Sequence, residues 1–334
     1  MGSLFYIPTF IGKFILIQLL CKVLLIVHIS VTRIFSHIMD LKSFETFLDS
    51  INRCYAKEVT NDLPKLTDFP SDIVSSDTIN LTKLAETLNN HKNIFFKSVS
   101  LRLIAIKNLQ ECREKGLKPE LKLIWKLICD SISILPSEAV VSSIGSQGFL
   151  SIPLYKYDKE PEMFDFFRLH IWDKSLEKHI NIKTRDDFSI HTHSFYAESW
   201  ILCGRIINER FAVKHSPEPT DYSIFNIEYN KTLNEINKHT STARNAKQFM
   251  ECKQISTEQY LQGGNYVIEA GDYHKSSVDA GNDGVAATLF NFYAPKGRVE
   301  HSFVIGPSNI KNSEINRTEN IDPKDVIRRI DEII

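Results

Sequence analysis

The spacing of hydrophobic residues over residues 39–135 is typical of helices. In the run LKSFETFLDSINRCYAKEV, apolar side chains recur every three or four residues, as on one face of an amphipathic helix. A second helix is predicted through TINLTKLAETLNN, with Ser76 or Asp77 as its N-cap. A third run, NIFFKSVSLRLIAIKNLQECREKG, ends at Gly116, and a fourth, PELKLIWKLICDSISIL, ends before Pro136. This part of the chain is therefore predicted to be a helical subdomain.

After this region the pattern changes to short segments rich in β-branched and aromatic residues, with Gly, Pro, Asn and Asp between them. The segments are GFLSIPLYKY, FDFFRLHIW, FSIHTHSFYAESWILCGRIINERFAV, YSIFNIEYN, NYVIEAGDYHKSS, AATLFNFYAP and EHSFVIG. Short strands separated by turn signals predict an antiparallel sandwich or barrel over residues 136–310. Residues 230–258 are predicted to interrupt it as a helical or loop insertion.

The last part of the chain, residues 311–334, returns to a helical pattern. Asp322 is predicted to cap this helix, Pro323 occupies its first position, and Val326 and Ile330 lie on one apolar face. The predicted fold class is therefore α+β, with a helical subdomain, then an antiparallel β domain, then a C-terminal helix.

The overall composition is that of a globular protein, with 43% hydrophobic residues, 24% charged residues and a formal net charge of -1. These values exclude a disordered chain and a coiled coil. No basic stripe with interleaved aromatic residues is present, so we expect no nucleic-acid partner. The six cysteines are widely scattered without a C-x-x-C pair, which favours a cytoplasmic protein without a disulfide framework.

Residues 1–38 differ from the rest of the chain, because they are mostly apolar and contain no acidic residue. Two alternatives remain open for this leader. In the first, residues 4–35 are a weak membrane anchor, and Arg33 and Lys42 then favour a cytoplasmic body. In the second, the leader is a non-native extension that precedes a start at Met39.

The candidate chemistry lies in the segment IHTHSFYAESWILCG. On a strand, His191 and His193 share one face, so both imidazoles can bind the same metal. A turn or bulge after them would bring the carboxylate of Glu198 to that face. A third imidazole, His274, follows Gly271 in the segment GDYHKSS. Three imidazoles and a carboxylate suit iron, manganese, nickel, copper or zinc, with coordination positions left open.

This segment resembles the first motif of the cupin superfamily. That motif runs His-x-His, three or four residues, Glu, six residues, Gly. Here His191 and His193 are followed by four residues and Glu198, and then by five residues and Gly204. Arg185 stands where the leading glycine of the family would fall.

A second segment resembles the second cupin motif, which runs Gly, five residues, Pro-x-Gly, two residues, His, three residues, Asn. Gly263, Gly271 and His274 match this pattern. Glu269 replaces the proline and Val278 replaces the asparagine, so this motif departs from the family at two positions.

The resemblance implies a jelly-roll (cupin-like) barrel over residues 145–306 with one divalent transition metal inside it, and Fe(II) is the favoured metal. The implied ligands are His191, His193, Glu198 and His274. Some cupins coordinate metal with histidine alone, so a site without the carboxylate is the alternative.

The implied function is a mononuclear metal-dependent enzyme, an Fe(II) dioxygenase that acts on a small molecule. Arg168, Trp172 and Trp200 are predicted to shape or charge the mouth of its pocket, and the helical subdomain would serve as a lid, a scaffold or a homodimer surface. The segment ATLFNFYAPKG is similar to the closing strand of thiol dioxygenases, but Phe290 and Phe292 stand where that family has its catalytic His and Tyr. The alternatives are a non-catalytic metal- or ligand-binding protein and an isomerase-type cupin without metal.

Overall fold

The structure is a computed structural model that describes residues 38–88, 91–145, 147–229, 241–278, 284–315 and 321–334. Its α-helices are α1 (Leu41–Asn52), α2 (Leu81–Thr87), α3 (Ile94–Lys115), α4 (Leu121–Ser133), α5 (Ile182–Asp187) and α6 (Lys324–Ile333). Apart from Ile38, the predicted leader lies outside the described residues. Within the part of the chain that the structure describes, no helix combines the length and the apolar character needed to cross a membrane.

Most of the strands fall within residues 136–310, as predicted, but two short strands lie near the N-terminus and one, over residues 312–315, lies in the C-terminal range that the sequence predicts as helical. The strands are β1 (Ile38–Asp40), β2 (Thr78–Asn80), β3 (Ser143–Ile144), β4 (Leu150–Tyr157), β5 (Asp165–Trp172), β6 (Ala197–Cys203), β7 (Arg205–His215), β8 (Tyr222–Tyr229), β9 (Ser241–Leu261), β10 (Asn265–Ile268), β11 (Tyr273–Val278), β12 (Ala286–Tyr293), β13 (Phe303–Pro307) and β14 (Asn312–Ile315). The combination of helices and antiparallel strands confirms the α+β class.

The ends of the helices follow from local capping. Helix α3 begins where the side chain of Asn93 accepts hydrogen bonds from two backbone N–H groups, and it ends at Gly116, whose φ of 63° is left-handed, as the sequence predicts. Helix α2 begins later than predicted, because Thr78–Asn80 pair with β1 as strand β2. Its N-cap is Asn80, which accepts from the N–H of Lys83 at 3.0 Å, and neither Ser76 nor Asp77 has this role.

Most of the strands form two large antiparallel sheets. The first sheet has the strand order β10-β6-β12-β5-β4-β3, and the second has the order β11-β7-β9-β8-β13, with β14 also paired to β9. This division into two sheets accords with the predicted sandwich or barrel. Closure of the two sheets into a jelly-roll barrel stays a prediction.

The first sheet is apolar on both faces, because successive side chains of a strand point to opposite sides. On β5, Phe167, Leu169 and Ile171 pack into one core with the buried residues of α1, α3 and α4. The intervening residues Phe166, Arg168, His170 and Trp172 line a cavity on the other face. The helical subdomain therefore covers the outer face of this sheet and leaves its inner face to the cavity.

The predicted insertion at residues 230–258 is wrong for the described part of that range. Residues 241–258 belong to the 21-residue strand β9, while residues 230–240 lie outside the described residues. Strand β9 pairs with β7, β8 and β14, and this long-range pairing overrides a local sequence that contains helix-forming Ala, Lys and Gln residues. A register shift in its pairing with β8 interrupts the ladder near Lys247, whose φ is 58°.

The helical subdomain is joined to the first sheet by a buried polar network around Asp165, the first residue of β5. The two terminal guanidinium nitrogens of Arg113 on α3 donate to its carboxylate, at 3.0 and 3.1 Å. The side chains of Gln110 and Asn291 also donate to it, at 3.0 and 2.7 Å. The guanidinium of Arg113 lies over the ring of Tyr293, 3.5 Å from its centroid. The buried charges of Arg113 and Asp165 therefore satisfy each other where helix and sheet meet.

We predict that the substitution Asp165→Ala lowers the free energy of unfolding by about 3–5 kcal/mol, because it leaves the charge of Arg113 buried without its carboxylate. Urea unfolding followed by circular dichroism measures this loss. The matched control is Glu332→Ala, which removes an exposed carboxylate paired with Arg328 on α6 and should change stability little. Equal effects of the two substitutions would contradict the structural role given to the buried network.

Candidate metal centre

The segment that carries His191 and His193 connects helix α5 to strand β6 and is not a regular strand. His191 lies directly opposite His274 of β11, and each backbone N–H donates to the other residue's carbonyl at 3.0 Å. On its other side, His191 bridges to Val304 of β13, and Thr192 donates its N–H to the carbonyl of Phe303 at 2.8 Å. Residues 190–192 are therefore held by hydrogen bonds to both outer strands of the second sheet.

This arrangement brings three predicted ligands together. One ring nitrogen from each of His191, His193 and His274 lies within 4.8 Å of the other two. The Nε2 atoms of His191 and His193 are 3.0 Å apart. Two nitrogen atoms that each lie about 2.1 Å from one metal, with an angle of about 90° between the two bonds, are about 3.0 Å from each other. The spacing of the imidazoles thus fits a single metal ion.

Two of the imidazoles are oriented by backbone carbonyls. Nδ1 of His274 lies 3.2 Å from the carbonyl oxygen of Asp272, and Nδ1 of His191 lies 3.0 Å from that of Ser189. An Nδ1–H that donates to a carbonyl leaves the Nε2 lone pair for a metal. Burial holds the pKa of His274 well below its usual value, and the neighbouring His191 lowers that pKa further. His274 is thus kept in the neutral form that metal coordination requires.

The three imidazoles open onto a cavity of about 330 Å³ with mainly aromatic walls. The aromatic residues that line it are Phe149, Phe164, Phe166, Trp172, Phe195, Tyr266, Phe290, Phe292 and Phe303. The ring of Phe292 lies 4.8 Å from the ring of His193, centroid to centroid, and that of Phe290 lies 5.6 Å from it. Phe290 and Phe292 are thus in contact with the imidazole cluster.

Glu198 is the predicted ligand that the structure does not bring to the imidazoles. Because Ala197 and Ile201 face the inner core, period-two alternation along β6 places Glu198 on the outer face of the first sheet. Its carboxylate accepts a hydrogen bond from Asn265 at 3.0 Å and lines a separate cavity of about 470 Å³ next to helix α3. Glu198 is therefore left out of the proposed donor set.

The other candidate residues are divided between the two cavities. Arg168 and Trp172 line the cavity at the imidazoles, as predicted for residues that shape or charge the pocket. Trp200 does not, because it lies on the same outer face as Glu198 and lines the second cavity. His170 lines the first cavity but stacks between Phe149 and Phe290, with ring centroids 4.1 and 5.0 Å away, and is not part of the cluster.

Gln147 is a site residue that sequence reasoning missed. The nitrogen of its side-chain amide lies 2.8 Å from Nδ1 and 3.0 Å from Nε2 of His191. It precedes Gly148, whose φ of 86° allows the turn that leads into β4. No spacing motif ties this glutamine to the histidines, so only the folded chain reveals the contact.

Comparisons with known proteins assign no family to this chain. No protein-family model matches it, and no curated protein matches its sequence. Among solved structures, it is similar to HppE in the Fe(II) form, with 12% identity over 63% of this chain and 97% of that chain and a TM-score of 0.25. It is also similar to hydroxypropylphosphonic acid epoxidase from S. wedmorenis, with 12% identity over 63% of this chain and 96% of that chain and a TM-score of 0.26.

A further similar structure is CapF with the inhibitor 3-isopropenyl-tropolone, at 8% identity over 71% of this chain and 48% of that chain, with a TM-score of 0.19. Because these TM-scores are low, no function is transferred from these proteins. The candidate centre therefore depends on the geometry of this chain alone.

We predict that His191→Ala and His274→Ala each weaken Co(II) binding by more than about 100-fold, since even outer-shell partners of a metal contribute 10–100-fold. The Co(II) absorption spectrum during titration of the full chain measures this affinity. Glu198→Gln is the matched control, and it should bind Co(II) as the unsubstituted chain does. Full metal occupancy in His274→Ala, or a comparable loss in Glu198→Gln, would show that the donor set is wrong.

Proposed function

We propose that this chain is a mononuclear metal-dependent enzyme of the cupin type, an Fe(II) oxygenase that acts on a small molecule. The observation that carries the proposal is the cluster of His191, His193 and His274 at the wall of an aromatic cavity. These three side chains would hold the metal, and a bound Fe(II) would supply the redox chemistry of oxygen transfer. All three are neutral donors, and three protein ligands leave further coordination positions open.

The chemistry of the cavity wall favours an oxygenase over a metal-dependent hydrolase. Among the described residues that line the cavity there is no Asp or Glu. A hydrolase of this kind commonly uses a carboxylate as general base beside the metal, as the H-E-x-x-H metalloproteases do. Oxygen chemistry at a redox-active metal has less need of such a base, because the metal carries out the difficult step.

The aromatic wall supports the same proposal through its effect on water. Phe290 and Phe292 pack their rings against His193, and this contact keeps apolar surface directly beside the ligand nitrogens. Phe290 is 5% exposed and belongs to the inner core of the first sheet. These side chains would exclude water from the cluster, which protects a reactive centre from side reactions. The hydroxyls of Thr192, Ser194 and Ser276 supply the polar contacts that orient a ligand in such a site.

Oxygen consumption tests the proposal most directly. We expect the Fe(II)-loaded chain to consume oxygen with at least one member of a panel of small metabolites, measured with an oxygen electrode. Consumption should stop after removal of the metal with a chelator and return when Fe(II) is added. The variant His274→Ala should be inactive with every member of the panel, and Glu198→Gln should remain active.

The outcomes separate the proposed enzyme from the alternatives. Stoichiometric metal without oxygen consumption by any metabolite would favour a non-catalytic metal- or ligand-binding protein. A chain that contains no transition metal and gains none on addition of Fe(II) would contradict the oxygenase. Turnover of a substrate without metal would instead favour the isomerase type.

A further inference from the structure

A second cavity lies on the outer face of the first sheet, away from the imidazoles. Its volume is about 470 Å³, and three parts of the chain form most of its walls. These are the end of helix α3 with the loop that follows it, the outer face of β6, and the turn between β9 and β10. The described walls of this cavity and of the imidazole cavity have no residue in common. A molecule bound here is therefore separated from the candidate metal centre by the sheet.

Glu198 provides the negative charge of this second cavity. No other acidic residue is among its described walls. The Oε1 atom of Glu198 accepts a hydrogen bond from the side chain of Asn265 at 3.0 Å, and no described cation forms an ion pair with this carboxylate. Trp200, two residues further along the same face of β6, also lines the cavity. A carboxylate and an indole ring both interact favourably with an ammonium group, so this wall attracts a cationic group of a ligand.

The end of helix α3 favours a cation at the same cavity. The helix has Gly116 as its C-cap, and both Gly116 and Arg113 of its last turn line the cavity. The C-terminal end of an α-helix carries a partial negative charge of about half an elementary charge. The charge of Arg113 is offset by Asp165, to which both of its terminal nitrogens donate. The helix end therefore adds to the attraction that Glu198 exerts on a positive group.

Two lysines place positive charge on other parts of the wall. Lys118 follows helix α3 and Lys296 follows β12, and both are exposed. Neither forms an ion pair with a described residue, and Nζ of Lys296 lies 5.1 Å from the centroid of the Tyr196 ring. The Nε atom of Arg113 is buried and has no hydrogen-bond partner among the described residues. A buried donor of this kind favours a ligand with an acceptor, so the walls suit an anionic group as well as a cationic one.

The remaining walls of the second cavity are mainly apolar. Leu117, Pro119 and Leu121 line it together with Trp200. Leu117 is 53% exposed, so an apolar ligand group that covers it removes this surface from water. The volume lies within the range of about 300–1,000 Å³ that is common for ligand sites. The cavity therefore suits one compact molecule that carries charges of both signs and an apolar group.

We propose that the second cavity binds a free α-amino acid with an apolar side chain. The ammonium group of the ligand binds the carboxylate of Glu198, and its carboxylate group binds Lys118 and Lys296. The side chain of the ligand packs on Trp200 and Leu117. A zwitterion matches walls of both signs, whereas a simple cation would meet two lysines and a simple anion would meet a carboxylate. The assignment goes beyond the proposed oxygenase and does not depend on it.

Isothermal titration calorimetry on the full chain tests this inference, with leucine, methionine and phenylalanine as probes. At least one of them should bind. Two analogues of the probe that binds best then test its two charges, since the N-acetyl derivative lacks the ammonium group and the amide lacks the carboxylate. Each analogue should bind about tenfold or more weakly than the free amino acid, because a hydrogen-bonded charge pair discriminates by that amount.

Substitutions identify the protein groups that recognise each charge. In Glu198→Gln the preference for the free amino acid over its N-acetyl derivative should disappear. In the double variant Lys118→Met and Lys296→Met, the preference over the amide should disappear instead. The matched control is Glu332→Gln, which removes an exposed carboxylate on helix α6 that pairs with Arg328 and should retain both preferences.

The outcomes are separate from those of the oxygenase test. Binding of the amino acid should be the same with and without added Fe(II), and it should persist in His274→Ala. Binding that requires the metal would place the amino acid at the imidazoles and overturn the inference. It would also be overturned if no amino acid binds, if both analogues bind as well as the free amino acid, or if both preferences survive the substitutions. None of these results bears on whether the Fe(II)-loaded chain consumes oxygen.

Discussion

The candidate centre depends on one feature of the backbone, the pairing of residues 190–192 with both outer strands of the second sheet. The reciprocal backbone hydrogen bonds between His191 and His274 place the two imidazoles side by side on neighbouring segments of the chain. The bridge from His191 to Val304 holds the same segment from its other side. His193 follows His191 by two residues, and its imidazole completes the cluster. The backbone positions of His191 and His274 thus come from strand-like pairing between segments that are distant in sequence.

The second constraint is the two-faced first sheet. Because β5 alternates between helix-facing and cavity-facing residues, one strand contributes both to the main core and to the wall of the site. The buried network around Asp165 and Arg113 anchors the beginning of that strand to helix α3. The helices therefore pack on the outer face of the first sheet, and the inner face of the same sheet lines the cavity. The described helices thus contact the sheet on the face opposite the imidazoles.

Much of this organisation is predictable from the sequence. The β-branched and aromatic runs locate most strands of the two sheets, and the His-x-His spacing with the distant His274 identifies residues that the fold brings together. Glu198 is expected at the imidazoles only if a turn or bulge after His193 returns its carboxylate to the same face, and in the structure it lies on the outer face of β6. The sequence does not show how the irregular segment between His193 and Ala197 turns the chain, and that segment decides which side chains of β6 face the cavity. Strand β9 was not predictable from local propensity, because its partners are distant in sequence.

The central proposal is that His191, His193 and His274 bind one metal and that Glu198 does not. X-ray absorption spectroscopy at the iron edge of the Fe(II)-loaded chain tests it most directly, since imidazole rings give a characteristic scattering pattern that can be counted. The account predicts three imidazoles per iron, with the remaining ligands supplied by solvent, and an unchanged spectrum in Glu198→Gln. Two or fewer imidazoles, or a spectrum that changes when Glu198 is replaced, would contradict it.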